Sequence, residues 1–324
     1  MRHRVDVFIP TLEERGWYVE KWVVPPGVHR RVRLFWGLRG ADVVVVVRKL
    51  FRQVQVQVLR WCSRRLVFDF DDAIIYRDSN RRDQYSQARA WRFGQMMHRA
   101  DHVIAGNEYL AGLAVSFGGH STIVPTCVDD VRLTPRGRQR MGGKVVIGWM
   151  GSRSTLMYLE SLRKVFEELG RRYGASVVLK VVCDKFPGPM GVEVAEKSWS
   201  LADELEDLRS FDIGIMPLRD DVWTRGKCGF KLLQYMAVGI PVVASPVGVN
   251  NQIVIDGENG FLAKNRAEWT DVLGMLIEDM DYRRNVGILG RESLRGRYTV
   301  SDWAGHYAQV MEEIAGPVGG AEEA

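Results

Sequence analysis

RGKCGFKLLQYMAVGIPVVASPVG, residues 225–248, is the stretch whose reading decides the fold. Two glycines and two lysines stand directly before an apolar run at helical spacing. A Gly-Ile-Pro turn follows, and then the β-branched run of a buried strand. Glycine before a helix lets the backbone approach a ligand closely, and the first N–H groups of a helix are unpaired and carry partial positive charge. Lysines beside such a start add full charge. The stretch predicts a helix over 230–238 whose N-terminus suits an anion, set between strands of a parallel sheet.

Working outward, the second half alternates strand and helix. VVIGWMG (145–151), SVVLKVVCD (176–184), FDIGIMP (211–217), IPVVAS (240–245) and GFLA (260–263) read as strands. Helices are expected over 155–173, 266–279, 281–296 and 301–315. The first half repeats the alternation. WYVEKWVV (17–24), ADVVVVVR (41–48), RLVFDFD (65–71), ADHVIAG (100–106) and STIVPT (121–126) are strand-like, with arginine-rich helical segments at 51–64 and 84–98. RLTPRGRQRMGGK (132–144) reads as a linker. Runs that are apolar on both faces, joined by helices, predict an α/β protein of two doubly wound parallel-sheet domains. The expected domains are 1–142 and 143–300, with a closing helix at 301–316.

The chain has 324 residues, long enough for two full cores, with an apolar fraction of 46% and a charged fraction of 26%. Its net charge of +5 is unevenly spread, for residues 1–142 hold 24 Lys and Arg against 14 Asp and Glu, a balance of +10. A basic lobe suits an anionic membrane face, a phosphorylated substrate or nucleic acid. No helix-turn-helix, zinc finger or basic-aromatic RNA signature occurs, so no nucleic-acid partner is expected. No apolar run approaches the roughly 20 residues of a membrane span, and the start carries charge where a secretory signal has its apolar core. Four scattered cysteines read as reduced thiols, and the expected location is the cytoplasm.

Two turns carry candidate chemistry. One is GWMGSRST, with Gly148, Gly151, Ser152 and Arg153 after a strand. The other is the opening stretch, with Gly226, Lys227, Gly229, Phe230 and Lys231. Two helix starts with Arg153, Lys227 and Lys231 suffice to neutralise a diphosphate without a metal ion. Neither GxGxxG nor GxxxxGK[ST] occurs, so no nicotinamide cofactor or P-loop is expected. Trp149 and Trp223 lie beside the two turns as candidates for stacking on a base or sugar.

The run FKLLQYMAVGIPVVASPVGVNNQIVIDGENGFLA (230–263) resembles the donor-binding segment of glycosyltransferase family 4, retaining nucleotide-sugar enzymes of the GT-B fold. IVPTCVDD (123–130), IGWMGS (147–152) and SDWAGHYAQVMEEI (301–314) are similar to the family's domain-joining element, first C-domain strand and closing helix. The resemblance implies two Rossmann-like domains facing a cleft, with the last helix returning to the first. It implies a nucleoside diphosphate-sugar donor in the second domain, held by the residues of both turns and by Gln234. It also implies a saccharide or lipid-linked acceptor at the first domain, no cofactor, and a hexosyltransferase of cell-surface polysaccharide or glycolipid synthesis. Family members carry two glutamates with seven residues between them; here Gly226 and Gln234 stand at those positions, with Asp220 or Asp221 as candidate replacements. The family's opening strand and glycine loop are missing, because MRHRVDVFIPTLEERG looks like the first helix followed by the second strand. A truncated N-terminal domain is expected, from a start assigned too far downstream or from native trimming. These departures leave a second reading open, a non-catalytic scaffold subunit of a polysaccharide assembly.

VFDFDDAI (67–74) also has two readings. By position it resembles the family's "HD" strand end, which implies that Asp71 and Asp72 orient the acceptor hydroxyl or take its proton. Asp71, Asp72 and Lys231 are then the catalytic candidates. The rival is the D-x-D of a haloacid-dehalogenase-like phosphatase at Asp69 and Asp71, but the expected Gly-Thr is replaced by Asp72-Ala73. Basic helices with Arg48, Lys49, Arg52, Arg60, Arg64 and Arg65, and then Arg81, Arg82, Arg89, Arg92 and Arg99, add an expected peripheral contact with the anionic inner face of a membrane.

Overall fold

The computed structural model describes residues 3–135 and 143–316, and most of the expected linker lies outside them. The chain divides into two compact units. The first comprises Met1–Cys127, Gly226–Cys228 and Val300–Ala324; the second comprises Val128–Arg225 and Gly229–Thr299.

The first unit has a parallel sheet in the order β1-β2-β3-β4, formed by Val43–Val47, Arg65–Phe70, His102–Ala105 and Ser121–Ile123. Its middle strands are apolar on both faces because helices cover both, as in other parallel sheets. Leu66, Val67, Phe68 and Phe70 are fully buried. Helices Val28–Gly37, Gln53–Cys62, Gln87–Met97 and Glu108–Ser116 lie between or before the strands, and Val300–Ala315 belongs to the same unit. There Phe8 stacks on Tyr307 at 4.5 Å, in a cluster with Val67, Ile104 and Val124.

The expected strand at 17–24 is not one. Trp17 and Val19 pack against the core cluster, but the segment joins no ladder and leaves Tyr18 and Val23 exposed. Helix Val28–Gly37 was masked in the sequence by its arginines, and only Phe35 of its residues is fully buried.

The second unit has six parallel strands, β5 (Val145–Met150), β6 (Val177–Val182), β7 (Glu193–Lys197), β8 (Ile213–Met216), β9 (Val242–Ala244) and β10 (Phe261–Leu262). Their order is β10-β9-β8-β5-β6-β7. The chain moves outward from β5 to one side and then returns to build the other, so the topological switch lies between β5 and β8. In such sheets ligands bind beyond the carboxyl ends of the strands at that point. The edge strand β7 was not expected, since EVAEK shows no apolar run. The helix expected over 155–173 is two helices, Leu156–Glu160 and Arg163–Tyr173.

Candidate functional site

Beyond β8 the chain runs through 217–225 and reaches Gly229 at φ +67°, the left-handed region that glycine enters without strain. A Cβ there would lie 2.3 Å from Ile253 Cδ1, so packing also demands glycine. Helix Phe230–Ala237 starts at this point, with Phe230 and Lys231 in its first turn. Lys231 Nζ stands 4.7 Å from the ring centroid of Trp149, in β5. The ammonium is thereby held against the carboxyl end of β5, at the switch point, by an aromatic face. Gln234, one turn further on, is buried. Its neighbour Tyr235 accepts the Met150 N–H at 3.0 Å and so ties this helix to the end of β5.

Several expected donor residues have other work. Gly148 and Gly214 face each other across β5 and β8, and a Cβ on Gly148 would lie 1.9 Å from the Phe211 ring. Gly148 is therefore a packing residue inside the strand. Gly151 gives its N–H to Val182 and leaves room for the Trp149 ring, 2.1 Å from where its Cβ would be. Trp149 itself is only 1% exposed, which rules out stacking on a base. Ser152 and Thr155 cap each other, and the Arg153 N–H donates to Asp184 Oδ1 at 2.7 Å. The Asp184 carboxyl is held below its usual range by the Cys183 thiol and by that N–H. An acidic side chain already occupies the turn expected to hold phosphate, and sequence spacing gave no sign of it.

Neither substitute carboxylate is uncommitted. Asp220 forms a two-pronged pair with Arg225, at 2.7 Å and 3.1 Å. Asp221 closes its own turn, accepting the N–H groups of Trp223 and Thr224 at 3.0 Å each.

The first unit gathers a charged cluster at the carboxyl end of β2. Asp69 is fully buried, and Arg4 Nε donates to its Oδ1 at 2.9 Å while Arg4 also donates to the Val124 carbonyl. Burial pushes the Asp69 carboxyl from its ordinary 3.8 up to about 6, against the lowering pull of Arg4. A sealed, arginine-bound Asp69 cannot act as a phosphatase nucleophile. Asp71 follows, 7% exposed, paired through Oδ2 with Arg48, and its buried Oδ1 has no hydrogen-bond partner. Asp72 receives Arg48 at 3.6 Å and Lys227 Nζ at 2.8 Å.

Lys227 thus belongs to the first unit, where its ammonium pairs with Asp72. The whole segment Gly226–Cys228 is fastened there. Asn107, which caps helix Glu108–Ser116 through Oδ1, donates its amide to the carbonyls of Gly226 and Lys227 at 3.4 Å and 3.2 Å. The Cys228 thiol donates to the Asp71 carbonyl at 3.3 Å, and burial pushes that thiol up to about 12. A Cβ on Gly226 would sit 2.6 Å from Ala73 Cβ, so the position matched to a family glutamate has no room for a side chain. Arg4 and Asn107 were missed, and Arg48 was assigned to membrane contact instead of to Asp71 and Asp72, because each reaches its partner through tertiary contacts that no local spacing records. Among the described residues, no group of three or more His, Cys, Asp or Glu is arranged to hold a metal, and no helix is long and apolar enough to cross a membrane.

Residues 189–279, which apart from Gly226–Cys228 lie within the second unit, match the family model described as "Glycosyl transferases group 1". The two parallel-sheet units have the GT-B fold. Sucrose-phosphate synthase from Thermosynechococcus elongatus superposes with a TM-score of 0.71 at 15% identity, over 88% of this chain and 77% of that one. HepE of Anabaena, in a complex with UDP and glucose, gives 0.69 at 17% identity, over 94% and 88%. Among curated proteins, a D-inositol 3-phosphate glycosyltransferase of Nocardia farcinica (strain IFM 10152) is 25% identical over 225 residues, 60% of this chain. The match spans 49% of that relative's own length.

Proposed function

We propose that this protein is a retaining glycosyltransferase that moves a sugar from a nucleoside diphosphate-sugar to an acceptor hydroxyl. The observation that carries the reading is the β5/β8 switch point, with the Gly229-initiated helix and Lys231 at its mouth, inside a unit that matches the group 1 model. The helix start and Lys231 stabilise the departing diphosphate as the sugar–phosphate bond breaks, the charge-stabilising part of catalysis. The acceptor oxygen bonds to the freed sugar carbon on the same face, and its proton passes to the leaving phosphate or to Asp71. Asp71, whose Oδ1 is buried and unpartnered, is the acceptor-side carboxylate of this reading. UDP is the favoured carrier, supported by the UDP in the HepE complex. The acceptor reading is a saccharide or lipid-linked acceptor of cell-surface polysaccharide or glycolipid synthesis, reached by peripheral contact of the first unit with a membrane. Calorimetry against UDP-, GDP-, ADP- and dTDP-sugars, followed by a transfer assay with the donor that binds, tests the reading.

A second reading has specific support. Gly226 admits no carboxylate, glutamine replaces the other glutamate, and Asp220, Asp221 and Lys227 are all engaged. A non-catalytic scaffold that binds a nucleotide-sugar without turning it over would have these features. Donor binding with no transfer to any acceptor separates it from the enzyme.

A further inference from the structure

Helices Val28–Gly37 and Gln53–Cys62 of the first unit present an unusual surface. Between positions 26 and 64 there are nine Lys and Arg residues and one acid, Asp42. Basic helices usually surround their cations with polar neighbours, but here large apolar side chains stand among them. Trp36 is 51% exposed, Trp61 68% and Val54 68%. Val54, Val58 and Trp61 recur at i, i+4 and i+7, so they form one stripe along their helix, on the side away from buried Val56 and Leu59. Trp36 and Trp61 meet edge to face at 5.5 Å. The Arg39 guanidinium lies over both rings, 3.5 Å and 4.4 Å from their centroids.

We infer that this Trp36–Arg39–Trp61 cluster, with the Val54 stripe and the exposed Arg30, Arg33, Lys49 and Arg52, docks on an anionic lipid bilayer. The inference rests on the peripheral-contact reading above and assigns the surface that makes it. Tryptophan favours the headgroup boundary because its ring is apolar and its N–H polar. The ring faces hold Arg39 in place with little further entropy to lose on meeting a phosphate. Charge complementarity selects the occupant: a single acid among nine cations repels basic partners, and the apolar stripe favours a surface with an acyl interior over a bare polyanion. The structure also revises which cations serve. Arg48 pairs with Asp71 and Asp72, Arg60 with Asp101 at 3.2 Å, and Arg64 with Asp42 at 2.7 Å, so these arginines are partly neutralised within the fold.

The test is flotation of the whole chain with phosphatidylcholine vesicles, with and without phosphatidylglycerol, at low and high salt. The chain should float only with the anionic vesicles and be released by salt, as screening shortens. Trp36→Ser with Trp61→Ser should lower partitioning by at least about tenfold, and Arg33→Gln alone by about fivefold. Brominated lipid should quench tryptophan emission in the parent but much less in Trp36→Phe with Trp61→Phe, a milder pair that guards against misfolding. Equal flotation of the parent and the serine variant overturns the assignment, as does equal binding to neutral vesicles or preference for duplex DNA. Calorimetric donor binding by the same preparations reports the transferase reading separately: donor heat without flotation defeats only this inference, and flotation without donor heat defeats only that reading.

Discussion

Lys227 Nζ donates to Asp72 Oδ1 at 2.8 Å, across 155 residues of chain. The bond redistributes the two lysines of the Gly-rich stretch. Lys231 stays with helix Phe230–Ala237 of the second unit, the helix proposed to hold the nucleotide, and Lys227 is part of the first unit's carboxylate cluster. Four residues apart in sequence, they do different work.

The two lysines should therefore separate by mutation. Lys231→Ala should weaken nucleotide-sugar affinity at least tenfold, roughly 1.4 kcal/mol. Lys227→Ala should change it less than about threefold, under about 0.7 kcal/mol, and instead lower the urea midpoint by removing a charge-assisted bond worth about 1.5–3 kcal/mol. Calorimetry and equilibrium unfolding on both variants check the split; equal loss of affinity would return Lys227 to the residues that neutralise the diphosphate.

Gly226 should resist restoration of the family glutamate. With Ala73 Cβ 2.6 Å from the would-be Cβ, Gly226→Ala should cost about 1–3 kcal/mol through overpacking, and Gly226→Glu more. Thermal melts give the comparison. A glutamate variant as stable as the parent, with faster turnover, would show that the position is open to a side chain.

The buried Asp69 makes a specific pH signature. Its carboxyl is raised from 3.8 to about 6, so between those values the folded chain binds more protons than the unfolded one. Its contribution to stability is therefore fully present below about pH 4 and is lost as pH rises through about 6. Urea midpoints of the parent minus those of Asp69→Asn, which keeps an acceptor for Arg4, should fall across that window. A difference that rises with pH there would contradict the burial argument.

Asp71→Asn should lower turnover and leave donor affinity little changed, because Asp71 belongs to the first unit and Lys231 to the second. Loss of donor binding in this variant would move Asp71 into the donor site.

Much of the sheet architecture could be read from sequence because parallel strands are buried on both faces and so appear as apolar runs. The five valines of β1 and VVLKVV of β6 are such runs. Where exposure breaks that rule, the reading failed: β7 is a charged edge, and WYVEKWVV has strand-like residues but no ladder to join. The helix start at Phe230 was legible from its glycine, which packing against Ile253 requires. The partners of Lys227, Arg153 and Asp71 were not, since Asp72, Asp184 and Arg48 reach them only once the sheets are assembled.

The most direct test of the account is calorimetric titration of the chain with UDP-glucose and UDP, in the parent and in Lys231→Ala. The account predicts saturable binding of both ligands to the parent, weakened at least tenfold in the variant. No heat with UDP-glucose, UDP or any of the GDP-, ADP- or dTDP-sugars, from a chain that unfolds cooperatively, would contradict it.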